Sequence, residues 1–276
     1  GNMKFLNTLL FLQSCAVAGA FTFVNPSAGR ASTQLYNVNP VGNSPGYTSK
    51  TADWEIEKIS PIVKIQGTTR HTWNFNDINK EIVQVALETG GRPMNCDIQL
   101  WIGPDWTPVT MKAYSEDGQV RPIQSLVGTR NKSANLEIRN TASSEFPLSA
   151  ACSYAVEPLA DARIALGQTK GDYIEGKAIY TKTFGPEVGQ VQVMLETDGR
   201  MLNAKVELLN GPNNVKQAFE IFTNNGKLNS LFVVFDTPGE GNVVRVTNLA
   251  PLEFPCTAYT AATKSSSESP GAMTWN

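Results

Sequence analysis

The chain has 276 residues, 41% hydrophobic and 17% charged, a balance that suits one or two globular cores and excludes a disordered chain. A formal charge of −2 lacks the basic excess that nucleic acid or an anionic membrane selects, so neither is expected as a partner. Beyond the N-terminus, no apolar run is long enough to span a bilayer.

Gly1-Asn2 stand before Met3 and are set aside. From Met3, "MKFLNTLLFLQSCAVAGA" joins a single Lys4 to an apolar centre, and Ala18 and Ala20 suit cleavage before Phe21. Residues 1–20 are therefore expected to be a signal peptide. Residues 21–52 hold no acidic side chain, abound in Ser, Thr, Asn and Gly, and carry Arg30 and Lys50. This is the composition of a plastid transit segment, with a polar linker of a secreted protein as the alternative. Without Lys4, Arg30 and Lys50, 20 basic residues face 25 acidic ones, a charge of about −5.

"VQVALETGGR" at 83–92 returns as "VQVMLETDGR" at 191–200, an offset of 108 residues that holds without a gap beyond the stretch itself. Asn95 falls on Asn203, Gly103-Pro104 on Gly211-Pro212, Asn140 on Asn248, and Glu145-Phe146-Pro147 on Glu253-Phe254-Pro255. With one residue of slippage, "GTTRHTWNF" (67–75) lies over "GKAIYTKTF" (176–184). The chain is a tandem duplication of a unit of roughly 100 residues. The boundaries are a first repeat at 53–156, a connector at 157–170, a second repeat at 171–263 and a flexible tail at 264–276.

In chain order, "ADWEIEKISPIVKIQG" either matches the connector as a helix or adds an edge strand, and "RHTWNF" reads as a strand. Val83, Val85 and Leu87 alternate with Gln84, Ala86 and Glu88, the period of a half-buried strand. It is expected to turn as a hairpin at Gly90-Gly91, with Asp198-Gly199 in the second copy. A return strand follows through Ile98 and Leu100, and a second hairpin is expected at Asp117-Gly118 and Asn225-Gly226. "PIQSLVG", "ANLEIRN" and "SAACSYAV" read as strands, as do "SLFVVFD", "NVVRVTN" and "TAYTAAT". "PLADARIALG" (158–167) is the best helix. Six or seven strands per repeat, spaced by Gly, Pro, Asn and Asp turns, make the chain all-β. The expected fold is two tandem homologous antiparallel β-sandwich-like domains related by an approximate pseudo-two-fold.

The shared turn residues Glu88, Arg92 and Asn95, with Glu196, Arg200 and Asn203, read as an ion pair and hydrogen bonds that fix a turn, or else as a twice-used binding edge. "EFP" reads as a packing corner. No catalytic constellation stands out. The single histidine, His71, aligns with Tyr180, so any Ser-His-Asp or Cys-His centre depends on one strand residue. Cys15 lies in the signal peptide, and Cys96, Cys152 and Cys256 lack the spacing of a zinc site or a disulfide framework. They read as buried reduced thiols. Neither a phosphate-binding glycine loop nor a zinc-protease motif is present, although carboxylates are too many to exclude a glycosidase-like pair. No cofactor and no metal are expected, and the chain is not expected to be an enzyme. A lone sequon, Asn131-Lys132-Ser133, matters only on the secretory route.

The copies diverge after the second strand, where Trp101 and Trp106 align with Leu209 and Asn214. A loop-borne Trp buries much area at small entropic cost, so both are candidate assembly contacts, or Trp106 folds back onto its own repeat. Met273 and Trp275 in the Ser-rich tail are two further candidates, docked on a neighbour or left disordered.

The N-terminus, with its signal-like segment and "AGAFTFVNP" junction, resembles the two-part presequence of diatom plastid proteins. Together with the duplicated "VQVALETGGR…GP…EFP" and "VQVMLETDGR…GP…EFP", it makes residues 3 to about 263 resemble the diatom pyrenoid shell proteins. The resemblance implies a structural role in the plastid stroma. Copies would assemble laterally, with themselves and with paralogous shell proteins, into a thin sheet around the Rubisco condensate, supporting CO₂ concentration and fixation. It supplies no catalytic residue. A carbohydrate-binding, lectin-like sandwich is the first alternative, and a plastid enzyme such as a carbonic anhydrase the second.

Overall fold

A computed structural model of the chain describes residues 51–237 and 241–265. The presequence through residue 50, and Met273 and Trp275 in the tail, lie outside the described residues. The first repeat supplies β1 (Val63–Ile65), β2 (Arg70–Phe75), β3 (Ile82–Glu88), β4 (Met94–Ile102), β5 (Trp106–Ser115), β6 (Ile123–Gly128), β7 (Ala134–Asn140) and β8 (Leu148–Tyr154). The second supplies β9 (Asp172–Ile174), β10 (Ile179–Phe184), β11 (Val188–Glu196), β12 (Leu202–Leu209), β13 (Val215–Thr223), β14 (Leu231–Asp236), β15 (Asn242–Asn248) and β16 (Cys256–Ser265). Each repeat thus has eight strands where six or seven are legible. The extra ones are short or exposed edges, which carry little apolar alternation.

The sixteen strands form two antiparallel sheets, β1-β8-β3-β6-β14-β11-β16-β9 and β10-β15-β12-β13-β5-β4-β7-β2. Within each repeat the order is 1-8-3-6 over 2-7-4-5, a jelly-roll arrangement of two four-stranded halves. The repeats join edge to edge. Phe232, Val233 and Val234 of β14 pair with Leu126, Ser125 and Gln124 of β6, while β13 pairs with β5 from Gln217↔Ser115 to Thr223↔Val109. One apolar core, with Val85 and Ile98 from the first repeat and Val193, Val206 and Phe219 from the second, runs between the sheets.

This topology corrects both hairpin expectations. β3 pairs with β6 and β8, while β4 pairs with β5 and β7, so Gly90-Gly91 lies in an arch between sheets. The same holds from β5 to β6. Five residues separate β3 from β4, enough to bridge the ~10 Å between packed sheets. The arches bond to each other: Thr89 N donates to Gly118 O at 3.3 Å, and Gly118 N to Arg92 O at 3.1 Å. Thr89 Oγ1 closes the first arch by donating to Arg92 O at 2.6 Å, and Gly91 takes φ 70°, which costs glycine little. The true tight hairpins join β4 to β5 and β12 to β13, around Gly103-Pro104 and Gly211-Pro212.

β3 is also more buried than its alternation implies. Val83, Val85 and Leu87 face the core, but Gln84 and Ala86 on the other side are 1% and 2% exposed. A short α1 (Ile56–Ile59) covers that side, with Ile56 against Ala86 and Ala151. The stretch "ADWEIEKISPIVKIQG" therefore gives both a helix and the edge strand β1. α2 (Glu157–Gly167) covers the second half of the sheet, seating Leu159 and Leu166 with Trp54, Leu126, Met194, Phe232 and Val234. Both helices pack on this covered sheet. The outer face of the other, open sheet carries no helix among the described residues.

One close approach recurs in both repeats. A Cβ on Gly67 would lie 1.7 Å from Ser143 O, and one on Gly176 would lie 1.9 Å from Pro251 O. Both contacts are with backbone, which cannot rotate away. Gly176→Ala is expected to lower the unfolding free energy by about 3 kcal/mol in urea titrations, with Gly67→Ala losing a similar amount.

Candidate functional site

The groups with chemical potential are scattered. His71 is exposed on edge strand β2, its ring edge-on to Trp73 at 4.5 Å. Cys96, Cys152 and Cys256 are buried and free; burial pushes the Cys256 thiol up to about 11 and the other two higher still. These are unreactive thiols that fill core space. Among the described residues, no three His, Cys, Asp or Glu side chains converge to hold a metal ion. The sequon lies on the exposed β6–β7 turn, where Ser133 Oγ donates to Asn76 Oδ1 at 2.6 Å.

Of the shared turn residues, the arginines serve the corner ahead of the last strand of each repeat. Arg92 lies 5.5 Å from the Phe146 ring centre and donates to Glu145 O at 3.4 Å. Arg200 repeats this, 5.7 Å from Phe254 and donating to Glu253 O at 2.6 Å. Arg200 also pairs with Asp198 at 2.9 Å, and that hydrogen bond holds the Asp198 carboxyl below its usual range. Glu88 and Glu196 are half-buried at the ends of β3 and β11, and burial beside Glu57 raises the Glu88 pKa. Asn95 and Asn203 contribute backbone carbonyls to Thr141 N and Leu249 N at 3.0 and 2.8 Å. Glu88, Arg92 and Asn95 thus engage three different neighbours.

Trp101 is half-buried on β4 opposite Asn135, and its Nε1 is buried with no hydrogen-bond partner among the described residues. Trp106 opens β5 and is 36% exposed. Its ring stands 5.0 Å from the Arg130 guanidinium and 5.8 Å from Lys132 Nζ, both on the β6–β7 turn of the same repeat. Arg130 continues to Asn229 Oδ1 and, at 2.8 Å, to Asn224 Oδ1 in the second repeat. Trp106 is therefore held at the repeat junction while part of its side chain meets solvent. Trp106→Ala is expected to cost about 1 kcal/mol in chemical denaturation, as befits a half-exposed cation–π contact.

The open sheet presents what sequence reading did not single out, a wide, polar outer face. Glu207 on β12 is 5% exposed, with Arg245 Nε at 2.8 Å and Lys205 Nζ at 3.0 Å. Burial pulls its carboxyl upward, but bonds from Arg245 and Lys205 win and hold its pKa below the ordinary value. Beside it, a shallow depression of about 320 Å³ crosses the β5·β13 seam between Tyr114 and Ala218. The available signal was the charge at aligned positions, since Asp97 falls on Lys205 and Lys112 on Glu220.

Among curated proteins, none matches this chain. Several solved structures show slight likeness, among them the following three. A chain of Sulfolobus Turreted Icosahedral Virus has 9% identity and TM-score 0.21, over 72% of this chain and 91% of its own. The PBSX exported protein XepA has 12% and 0.24, over 67% and 84%. The vicilin of Solanum melongena has 8% and 0.19, over 73% and 75%. At these values the likenesses carry no argument. The family described as diatom pyrenoid shell protein matches residues 54–262, which span both repeats from Trp54 under α2 to Ala262 on β16. The chain belongs to the diatom pyrenoid shell proteins.

Proposed function

We propose that this chain assembles with copies of itself, and with paralogous shell proteins, into a thin sheet around the Rubisco condensate of the plastid. The sheet supports CO₂ concentration and fixation by enclosing the condensate, a structural rather than catalytic role. The family match over residues 54–262 carries this reading. The N-terminal segment supplies the address, a signal peptide followed by a transit segment.

The fold suits lateral growth. Among the described residues, the open sheet ends on β10 and β2 and the covered sheet on β9 and β1, which are equivalent strands of the two repeats. In a sheet of eight alternating strands the two edges run in opposite directions. A copy displaced sideways therefore sets its β10 antiparallel to β2, continuing the ladder. Many weak contacts of this kind hold a lattice that no single pair would. Trp106, partly exposed at the junction, and the tail residues Met273 and Trp275 are further candidate contacts.

The test is location. A fluorescent fusion carrying the native N-terminus is expected to form a closed rim around the Rubisco body in diatom cells. Diffuse stromal signal, or secretion, would refute the shell reading.

A further inference from the structure

The open face repeats its shape but inverts its charge. Across the seam, cross-strand neighbours run Asp97 (β4), Lys112 (β5), Glu220 (β13) and Lys205 (β12), one row of alternating sign. Lys112 and Glu220 are exposed, and the Lys205 side chain is 33% exposed. The repeats keep their buried positions apolar here, so the inversion is confined to the outward side.

From this pattern we propose that the open face binds the open face of a second copy, back to back, about a two-fold axis that lies along the seam and parallel to the strands. This rests on the reading above that the chain associates with itself, and specifies how. Such an axis exchanges the two sides of the seam and leaves each row at its own height. Asp97 then meets Lys205 of the second copy, and Lys112 meets Glu220. An in-plane axis perpendicular to the strands would set Asp97 against Asp97, so the charges select one of the two arrangements.

Size follows the same rule. In the adjacent row Tyr114 pairs with Ala218 across the seam, and in the row on the other side Thr110 pairs with Phe222. The axis places Tyr114 over the depression at Ala218 of the second copy, and Phe222, 46% exposed, over Thr110. Large meets small in both rows. Eight strands about 4.8 Å apart give a face roughly 38 Å wide, and some 20 Å along the strands makes about 800 Å² per partner, a standard interface. The covered sheet offers no such surface, because α1 and α2 occupy it.

The test uses two full-length variants that carry one sign each. Asp97→Lys/Glu220→Lys makes the row wholly positive, and Lys112→Glu/Lys205→Glu makes it wholly negative. Each alone is expected to weaken association at least about tenfold in sedimentation velocity, and an equimolar mixture to restore it, because every contact between unlike variants is again opposite in sign. Restoration on mixing reports contact between chains, which the pairs within one chain cannot mimic. Ala218→Tyr, which fills the depression without changing charge, is expected to weaken association as well. Variants that associate like the unaltered chain, or a mixture that stays dissociated, would overturn the back-to-back pair while leaving lateral assembly intact. An unaltered chain that never associates would overturn both.

Discussion

Phe219→Ala is expected to remove about 4 kcal/mol of folding free energy, read as a lower urea midpoint at unchanged slope. Phe219 on β13 is 0% exposed and meets Phe235 of β14 edge-on, ring centres 5.5 Å apart. The pair joins the two sheets beside the seam between repeats. The first repeat holds Met111 and Val127 at the equivalent positions, so the aromatic contact belongs to the second half alone. Truncation would leave a cavity that the surrounding β-branched side chains cannot close, since their rotamers are already fixed. Phe222 lies three residues on, on the opposite face, 46% exposed. Its replacement by alanine is expected to change monomer stability by less than about 0.5 kcal/mol, which makes it an internal control.

Loss of either shared buried asparagine ranks second. Asn140 is 1% exposed, and its Nδ2 donates to Ile65 O at 3.0 Å and Phe146 O at 2.8 Å, while its Oδ1 accepts from Ala142 N at 3.0 Å. Asn248 repeats all three bonds, with Ile174 O at 3.2 Å, Phe254 O at 2.9 Å and Ala250 N at 3.0 Å. One amide thus fastens the edge strand and the EFP corner to the end of β7, or of β15 in the second repeat. Asn140→Ala is expected to cost about 3 kcal/mol, because three backbone groups lose their partner in a buried place. Asn140→Asp should be worse than alanine. It keeps the acceptor for Ala142 N but turns a charge toward two carbonyl oxygens. Equal losses at Asn140 and Asn248 would show that the corner does the same work in each repeat.

These two residues mark how far the sequence could be read. The 108-residue offset exposes the shared asparagine but not its role, because its partners Ile65 and Phe146 lie far apart in the chain. Strand positions were legible wherever one side chain in two is apolar, as in "ANLEIRN" on β7. Pairing was not. Gly90-Gly91 favours any tight reversal, and the same residues serve a hairpin within a sheet or an arch between sheets. What decides is Thr89 and Gly118 of adjacent arches bonding to each other, a contact across 29 positions. The second burial of β3 was hidden likewise, because Gln84 reads as solvent-facing although it donates to Asp53 O at 2.5 Å in the 3-10 turn ahead of α1. The open face was within reach. Asp97 with Lys205, and Lys112 with Glu220, show their inverted charges once the copies are aligned, but only the register places the four in one row.

Duplication then has a physical use. Two jelly-roll halves joined through β5·β13 and β6·β14 give two continuous sheets with equivalent edge strands at their two ends. Divergence after duplication is free to act where packing does not, at Trp106 and along the open face.

Electron microscopy of the purified chain over a range of concentrations, with sedimentation of the same samples, tests directly whether its copies associate into a sheet. The expected result is extended sheets or tubes with a regular repeat, pelleting more completely as concentration rises. Single-chain particles at every concentration would contradict it.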